Sequence, residues 1–389
     1  MAFQKGTLMH WEMLIGWVLA GGLAVSLLAL AWGHVDALRY YGRRNPPRAR
    51  SPWPSVSILK PIEGVDEGTA DALATFCRLE YLGDLEVLVG VLRDDDPIVQ
   101  VVTELQRRFP HCRLRLVRAD LLGTNRKSSI MEALWREARG EYLLFSDADV
   151  SVQSDYVPRV LDELLAPGVG CVTCLPRSVG ARTLGGGIIA LHYGCVYLPQ
   201  WMLARQTTGI SWAIGHTMAV SRSVLDRLGG FRQFINHLAD DYELGRRTAQ
   251  MGLRVVVAPM LVDCTMPHES LGRAVNRLQR WKRTIRRARG PASIGVVLTL
   301  PTIWALLGVV WAPASVQSWS ILAAVLGLRW IGAWVLQTRV GMPDWPRIWW
   351  LLPLVDLLEL WTLIGAYTGD RVTWRGHDYR LLPDGTLAR

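Results

Sequence analysis

Two aspartates with one residue between them close a short apolar run, Tyr142-Leu143-Leu144-Phe145-Ser146-Asp147-Ala148-Asp149-Val150. The run reads as a buried strand, along which residues i and i+2 point the same way. Two carboxylates converging just past a strand end offer oxygen donors only. Such a set suits a hard cation, Mg²⁺ or Mn²⁺, which keeps its remaining positions for water and phosphate oxygens. Asp147 and Asp149 are thus candidate metal ligands. The chemistry they suggest is that of a metal-bridged diphosphate at the carboxyl edge of an α/β sheet. Taken alone, the pair also fits two surface aspartates in a turn.

Other residues extend the pattern. Asp94-Asp95-Asp96-Pro97 ends a second apolar run, Leu85 to Leu92. Ala239-Asp240-Asp241-Tyr242-Glu243 opens a helical stretch, where acids also suit the N-terminal dipole. Arg277-Leu278-Gln279-Arg280-Trp281 lies in a basic helix. No G-x-G-x-x-G follows a strand, and no Walker A pattern occurs. That argues against a dinucleotide dehydrogenase and a P-loop enzyme. Gly185-Gly186-Gly187 sits in a stretch that reads as irregular.

The elements that must position these residues alternate. Strands are expected at 55–61, 85–92, 112–117, 142–146, 169–175 and 254–257. Helices are expected at 68–78, 97–109, 125–138 and 239–252. This rhythm predicts an α/β domain with a parallel, doubly wound sheet. Cys171 and Cys174, in an apolar run with no second pair at zinc spacing, read as packed strand thiols.

The 389 residues are half hydrophobic, with the excess at the two ends. Met13–Trp32 carries no charge and is long enough to span a bilayer. A signal peptide is the rival, but the apolar run exceeds the usual length. Arg39, Arg43, Arg44, Arg48 and Arg50 follow, and the positive-inside rule puts them in the cytoplasm. Pro291–Leu328 is again uncharged, enough for two spans with a break near Pro313. Trp349–Tyr367 carries Asp356 and Glu359 on one face, with Arg329 as a conceivable partner. Basic residues flank it on both sides, so it spans or re-enters. It is read as a re-entrant or in-plane helix that leaves the tail cytosolic. From Pro267 to Gly290, an apolar stripe faces away from eight basic residues, the pattern of a helix lying in a membrane interface. The expected organisation is an N-terminal anchor (1–35), a catalytic domain (50–265), an interfacial helix (266–290), membrane helices (291–367) and a cytosolic tail (368–389). The net charge of +9 clusters as arginine and fits anionic lipid and a nucleotide before nucleic acid.

The acidic edges combined with R-x-x-R-W resemble the family 2-type glycosyltransferases of GT-A fold. Within them the chain is most similar to ceramide glucosyltransferases and their bacterial relatives, the hopanoid-biosynthesis enzymes included. Ser57-Ile58-Leu59-Lys60-Pro61, Gly64-Val65-Asp66, Asp95-Asp96-Pro97, Asn125-Arg126-Lys127, Val224-Leu225-Asp226 with Gly229-Gly230, Asp241-Tyr242, Trp374-Arg375-Gly376 and Tyr379-Arg380-Leu381 carry the likeness. The resemblance implies a GT-A catalytic domain with one N-terminal and two to three C-terminal membrane helices. It implies that Lys60, Asp96, Lys127, Asp147, Arg277, Arg280 and Trp281 serve the nucleotide-sugar site and that Asp241 is the base. The ceramide enzymes lack a second carboxylate after the position of Asp147. Ala148-Asp149 restores it here, which favours the metal and weakens a ceramide-specific assignment.

The reading is an inverting transfer of one sugar, glucose or N-acetylglucosamine, from a UDP-sugar to the hydroxyl of a hopanoid or ceramide-like lipid. It needs Mg²⁺ or Mn²⁺ and no nucleic acid. It places the chain in a bacterial inner membrane with the catalytic domain facing the cytosol. The alternatives are a processive polysaccharide synthase and a non-catalytic membrane or nucleic-acid-binding scaffold.

Overall fold

The computed structural model describes residues 2–42, 47–48, 51–266, 268–374 and 376–388. Arg43, Arg44, Arg50, Pro267 and Arg375, on which some expectations rest, lie outside the described residues. The chain divides into two compact units. One holds 43–183, 209–269 and 370–389, and the other holds 1–42, 184–208 and 270–369.

The first unit is built on an eight-stranded mixed sheet. Its strands are β1 (Val56–Pro61), β2 (Leu85–Val91), β3 (Leu114–Arg118), β4 (Tyr142–Ser146), β5 (Val150–Ser151), β6 (Val169–Val179), β7 (Thr217–Ser221) and β8 (Arg254–Thr265). Their order is β3-β2-β1-β4-β7-β6-β8-β5. β1 pairs in parallel with β2 and β4, as β2 does with β3 and β6 with β8. β7 is antiparallel to β4 and β6, and β5 to β8. β1 is buried at all six positions, as a strand covered on both faces must be. Leu59, Leu88, Leu134, Phe145, Met218, Phe231 and Leu244 join strands and helices in one apolar core. The strand order reverses between β1 and β4. At such a reversal the flanking connections leave in opposite directions and open a crevice at the carboxyl ends.

The four expected helices of this unit form within a residue or two of their expected ends, and two further helices, Tyr156–Leu164 and Arg222–Leu228, were not expected. The Arg126–Glu137 helix is N-capped by Asn125, whose Oδ1 accepts from Ser128 N at 2.9 Å. The strands depart from expectation in several places. β6 and β8 run past Pro176 and Pro259, where a sequence reading stops a strand. Shifts in their shared register accommodate these irregular strands. Thr217–Ser221 is a strand the alternation missed; it enters antiparallel to both its neighbours. The tail adds a small antiparallel sheet, β9 (Arg371–Trp374), β10 (His377–Leu381) and β11 (Leu387–Ala388). All six cysteines are free, and Cys171 and Cys174 are buried on β6.

The second unit is helical. Three of its stretches, Trp11–Tyr41, Val316–Val340 and Trp349–Tyr367, are long and apolar enough to cross a membrane. A fourth, Leu271–Thr299 with Pro301–Trp311, is bent by 73° at its break. Trp17, Leu28, Val310, Val316 and Trp361 expose large apolar side chains. The 184–207 stretch is helical, not irregular, with a π-helical segment at His192–Tyr197. Its glycines permit close packing: a Cβ on Gly187 would stand 2.9 Å from Ile348 Cγ2. Arg329 does pair with Asp356, at 2.5 Å. Lys282, on the basic helix, is buried and pairs with Glu359 at 2.5 Å.

Candidate active site

β4 delivers Asp147 and Asp149 to the crevice beside the end of β1. Lys60, the fifth residue of β1, is fully buried. Its ammonium donates to Ser146 Oγ at 3.2 Å and to the Asp147 carbonyl oxygen, and lies 4.2 Å from the Phe76 ring centroid. It therefore fixes the turn that carries the two aspartates. Burial pulls the lysine down to about 7, although Asp147 and Asp149 oppose the shift.

The second cation, Lys127, stands in the first turn of the helix that Asn125 caps. Asn125 also donates through Nδ2 to His237 O at 2.7 Å, and its own N–H donates to Ile235 O at 2.6 Å. These bonds dock the Asn125-Arg126-Lys127 turn onto the loop leading into the Asp240–Gln250 helix. Lys127 Nζ consequently lies 2.6 Å from Asp147 Oδ1 and 3.7 Å from Asp240 Oδ2. Burial lowers the lysine, but Asp147, Asp240 and Asp241 outweigh it and raise it above its ordinary value. Burial pushes Asp147 up, yet Lys127, His216 and Lys60 hold it below the usual carboxylate range.

Asp241 reaches the same place through the turn before β7. Gly215 N donates to Asp241 Oδ2 at 2.7 Å, and the next residue, His216, accepts from Asp147 N at 3.1 Å. A side chain at Gly215 would crowd this point, since a Cβ there would stand 3.1 Å from both Asp241 Oδ2 and Lys127 Nζ. Asp147 and Asp241 are thus joined through two consecutive residues.

Sequence reasoning treated Asp240 only as a helix-start acid. It is buried, and among the described residues its Oδ2 accepts no hydrogen bond. Burial raises it to about 6, with Lys127 opposing and Asp241 and Asp147 adding to the rise. Only its place beside Asp241 could have drawn notice.

Asp96 has another kind of contact. Its carboxylate accepts from Gly64 N at 3.0 Å and from Ile98 N at 3.0 Å. It holds the loop after β1, which Arg126 also braces through Glu63 at 2.8 Å. Arg277, Arg280 and Trp281 lie in the helical unit. There the Trp281 ring stacks on His192 at 5.6 Å, with the Arg277 guanidinium 6.0 Å from its centroid.

Among the described residues, no three His, Cys, Asp or Glu side chains are grouped to hold a metal ion. The donor set still fits one that keeps water and phosphate ligands. Asp147 and Asp149 are only part-buried, and among the described residues Asp149 accepts no side-chain hydrogen bond.

A doubly wound mixed sheet with an acidic turn at its reversal point defines a GT-A-type glycosyltransferase fold. A mannosyltransferase from Pyrobaculum calidifontis, solved with GDP-Man and Mn²⁺, shares it at a TM-score of 0.50 and 19% identity, over 89% of this chain and 98% of that one. The chain belongs to glycosyl transferase family 21, whose model matches residues 18–387. It is 25% identical over 252 residues to ceramide glucosyltransferase 3 of Caenorhabditis elegans, covering 64% of this chain and 54% of the relative. It is 22% identical over 267 residues to ceramide glucosyltransferase 1 of the same organism, covering 68% and 56%. The chain therefore spans about half the length of these curated relatives. The family read from the motifs holds.

Proposed function

We propose that this chain is a membrane-bound, inverting hexosyltransferase moving one sugar from a UDP-sugar to the hydroxyl of a membrane lipid. The sugar is glucose or N-acetylglucosamine, and the acceptor is a hopanoid or ceramide-like lipid. The observation that carries the reading is the meeting of Asp147 and Asp241 across Gly215-His216, with Lys127 beside both.

Asp147 and Asp149 would hold Mg²⁺ or Mn²⁺, which supplies charge stabilisation to the departing diphosphate. Asp241, oriented by the Gly215 amide, takes the proton of the acceptor hydroxyl as that oxygen attacks the anomeric carbon. One displacement inverts the carbon, and no sugar–enzyme bond forms. Lys60 sets the aspartate turn, and Asp96 sets the loop after β1 against which the nucleotide binds. Lys127, Arg277 and Arg280 supply positive charge to the diphosphate, and Trp281 an aromatic face to the sugar or acceptor. The catalytic domain faces the cytosol of a bacterial inner membrane. Residues 1–35 form the anchor, 266–290 the interfacial helix, 291–367 the membrane helices and 368–389 the cytosolic tail.

The test is transfer by the purified full chain from radiolabelled UDP-glucose and UDP-N-acetylglucosamine into extracted lipid, with mass spectrometry of the product. Asp241→Asn should lower transfer by about 10²–10⁴ without unfolding the chain. Chelation should stop transfer and Mn²⁺ restore it. Full activity in Asp241→Asn would remove the base, and a polymeric product would replace the single-transfer reading.

A further inference from the structure

Lys127 is one ammonium facing three carboxylates, and its bonds to them are unequal. It makes a full ion pair with Asp147 at 2.6 Å and stands 3.7 Å from Asp240. Asp240 Oδ2 is buried and, among the described residues, accepts no hydrogen bond. A buried carboxylate oxygen normally has a partner, so this one is an acceptor held in reserve beside the cation. A shift of the ammonium by about 1 Å would give Asp240 a normal bond and free Asp147 Oδ1. The charge count agrees. Counted by formal charge, Asp147, Asp149, Asp240 and Asp241 bring four negative charges, and Lys60 and Lys127 two positive ones. The two left over are the charge of one divalent ion.

We propose that Lys127 is a built-in surrogate cation: it neutralises Asp147 until a divalent ion arrives, and Asp240 then receives the displaced ammonium beside Asp241. This rests on the reading that Asp147 and Asp149 hold the metal. Asp240 is a positioning residue, acting through Lys127. Metal entry and lysine displacement are one exchange, so the ion competes with the protein's own charge.

The experiment is Mn²⁺ titration of the donor-free full chain in detergent, with free Mn²⁺ read by electron paramagnetic resonance. Lys127→Gln removes the competing charge and keeps a hydrogen-bond donor. It should bind Mn²⁺ about tenfold tighter than the unaltered chain, or more. Lys127→Arg keeps the charge, so it guards against loss of fold. It should bind Mn²⁺ more weakly, since a guanidinium grips Asp147 with two bonds. Unchanged or weaker binding in Lys127→Gln, or undiminished binding in Lys127→Arg, overturns the surrogate. In that case Mn²⁺ binding that Asp149→Asn still weakens leaves the metal reading standing. If Lys127→Gln alone binds Mn²⁺, the surrogate stands. If neither the unaltered chain nor Lys127→Gln binds it, both readings fall.

Discussion

The carboxylates of Asp147 and Asp356 each meet a cation, at 2.6 and 2.5 Å, and differ in almost everything else. Asp356 is fully buried. One of its oxygens accepts from Arg329 Nη2, and the other accepts from Arg329 Nε at 3.1 Å and from Thr302 Oγ1 at 2.5 Å. Arg329 spends its remaining arm on Cys195 O at 2.8 Å. That cluster is neutral and closed, and it ties together helices with membrane-spanning character. Where hydrocarbon surrounds a fold, an open valence on a charged group is costly, so closure is the condition for the charges to be there at all. The cluster around Asp147 is acidic in excess and open, with Asp149 lacking a side-chain donor among the described residues and Asp240 Oδ2 unbonded. Nothing about packing requires that arrangement. A set of unmet valences at the carboxyl edge of a sheet is a binding site held in tension, while a set of met ones is a joint.

Removing one carboxylate from each cluster sharpens this contrast. Asp147→Asn should cut sugar transfer by about 10²–10³, because it removes charge placed for the departing diphosphate. Its unfolding midpoint should fall only slightly, since the favoured ion pair with Lys127 is lost but Asp240 and Asp241 remain beside that ammonium. A collapse in stability would mean that Asp147 also serves as a joint. Asp356→Asn should do the reverse. It leaves Arg329 buried without its counter-ion, which costs about 3–5 kcal/mol. Thermal unfolding in detergent reads this directly. The double replacement Arg329→Met with Asp356→Leu removes both charges and should recover most of the loss. If the pair of apolar side chains is as damaging as Asp356→Asn alone, the ion pair does more than close a valence.

The two regions also differ in how far the sequence reveals them. The strand Tyr142–Ser146 and the helix capped by Asn125 follow from local pattern: an apolar run stopped by aspartates, and an asparagine ahead of a helical period. Arg329 with Asp356 was readable because intramembrane charges are so costly that each demands a partner. What could not be read needed three dimensions. Pro176 and Pro259 hide the far halves of β6 and β8, whose irregular pairing tolerates them. The glycines at 185–187 look like a loop until the helix packed on them is known. The role of Asp240 depends on Lys127, 113 residues earlier, and no spacing rule links the two. The position of Gly215 is illegible for the same reason: its neighbours come from two distant helices.

Gly215 offers the finest cut between joint and site. Its backbone needs no left-handed angle, so alanine brings no conformational strain. The added Cβ would stand 3.1 Å from both Asp241 Oδ2 and Lys127 Nζ, so each must move by a few tenths of an ångström. Lys127 ends a flexible side chain and can yield. Asp241 is held by the Gly215 amide at 2.7 Å and by Tyr242 N at 2.7 Å, so it yields less freely. Gly215→Ala should cost about 1 kcal/mol, the low end of what an added methyl group costs at a buried position, because the atoms it meets are side-chain ends. Transfer should fall by about tenfold, a fraction of the loss that a full ångström of misplacement produces. The effect should lie in kcat, because the acceptor proton is moved in the transition state, and not in donor KM. A rise in donor KM at constant kcat would mean that the methyl group disturbs Lys127 more than Asp241. The base would then be less tightly placed than its two amide bonds suggest.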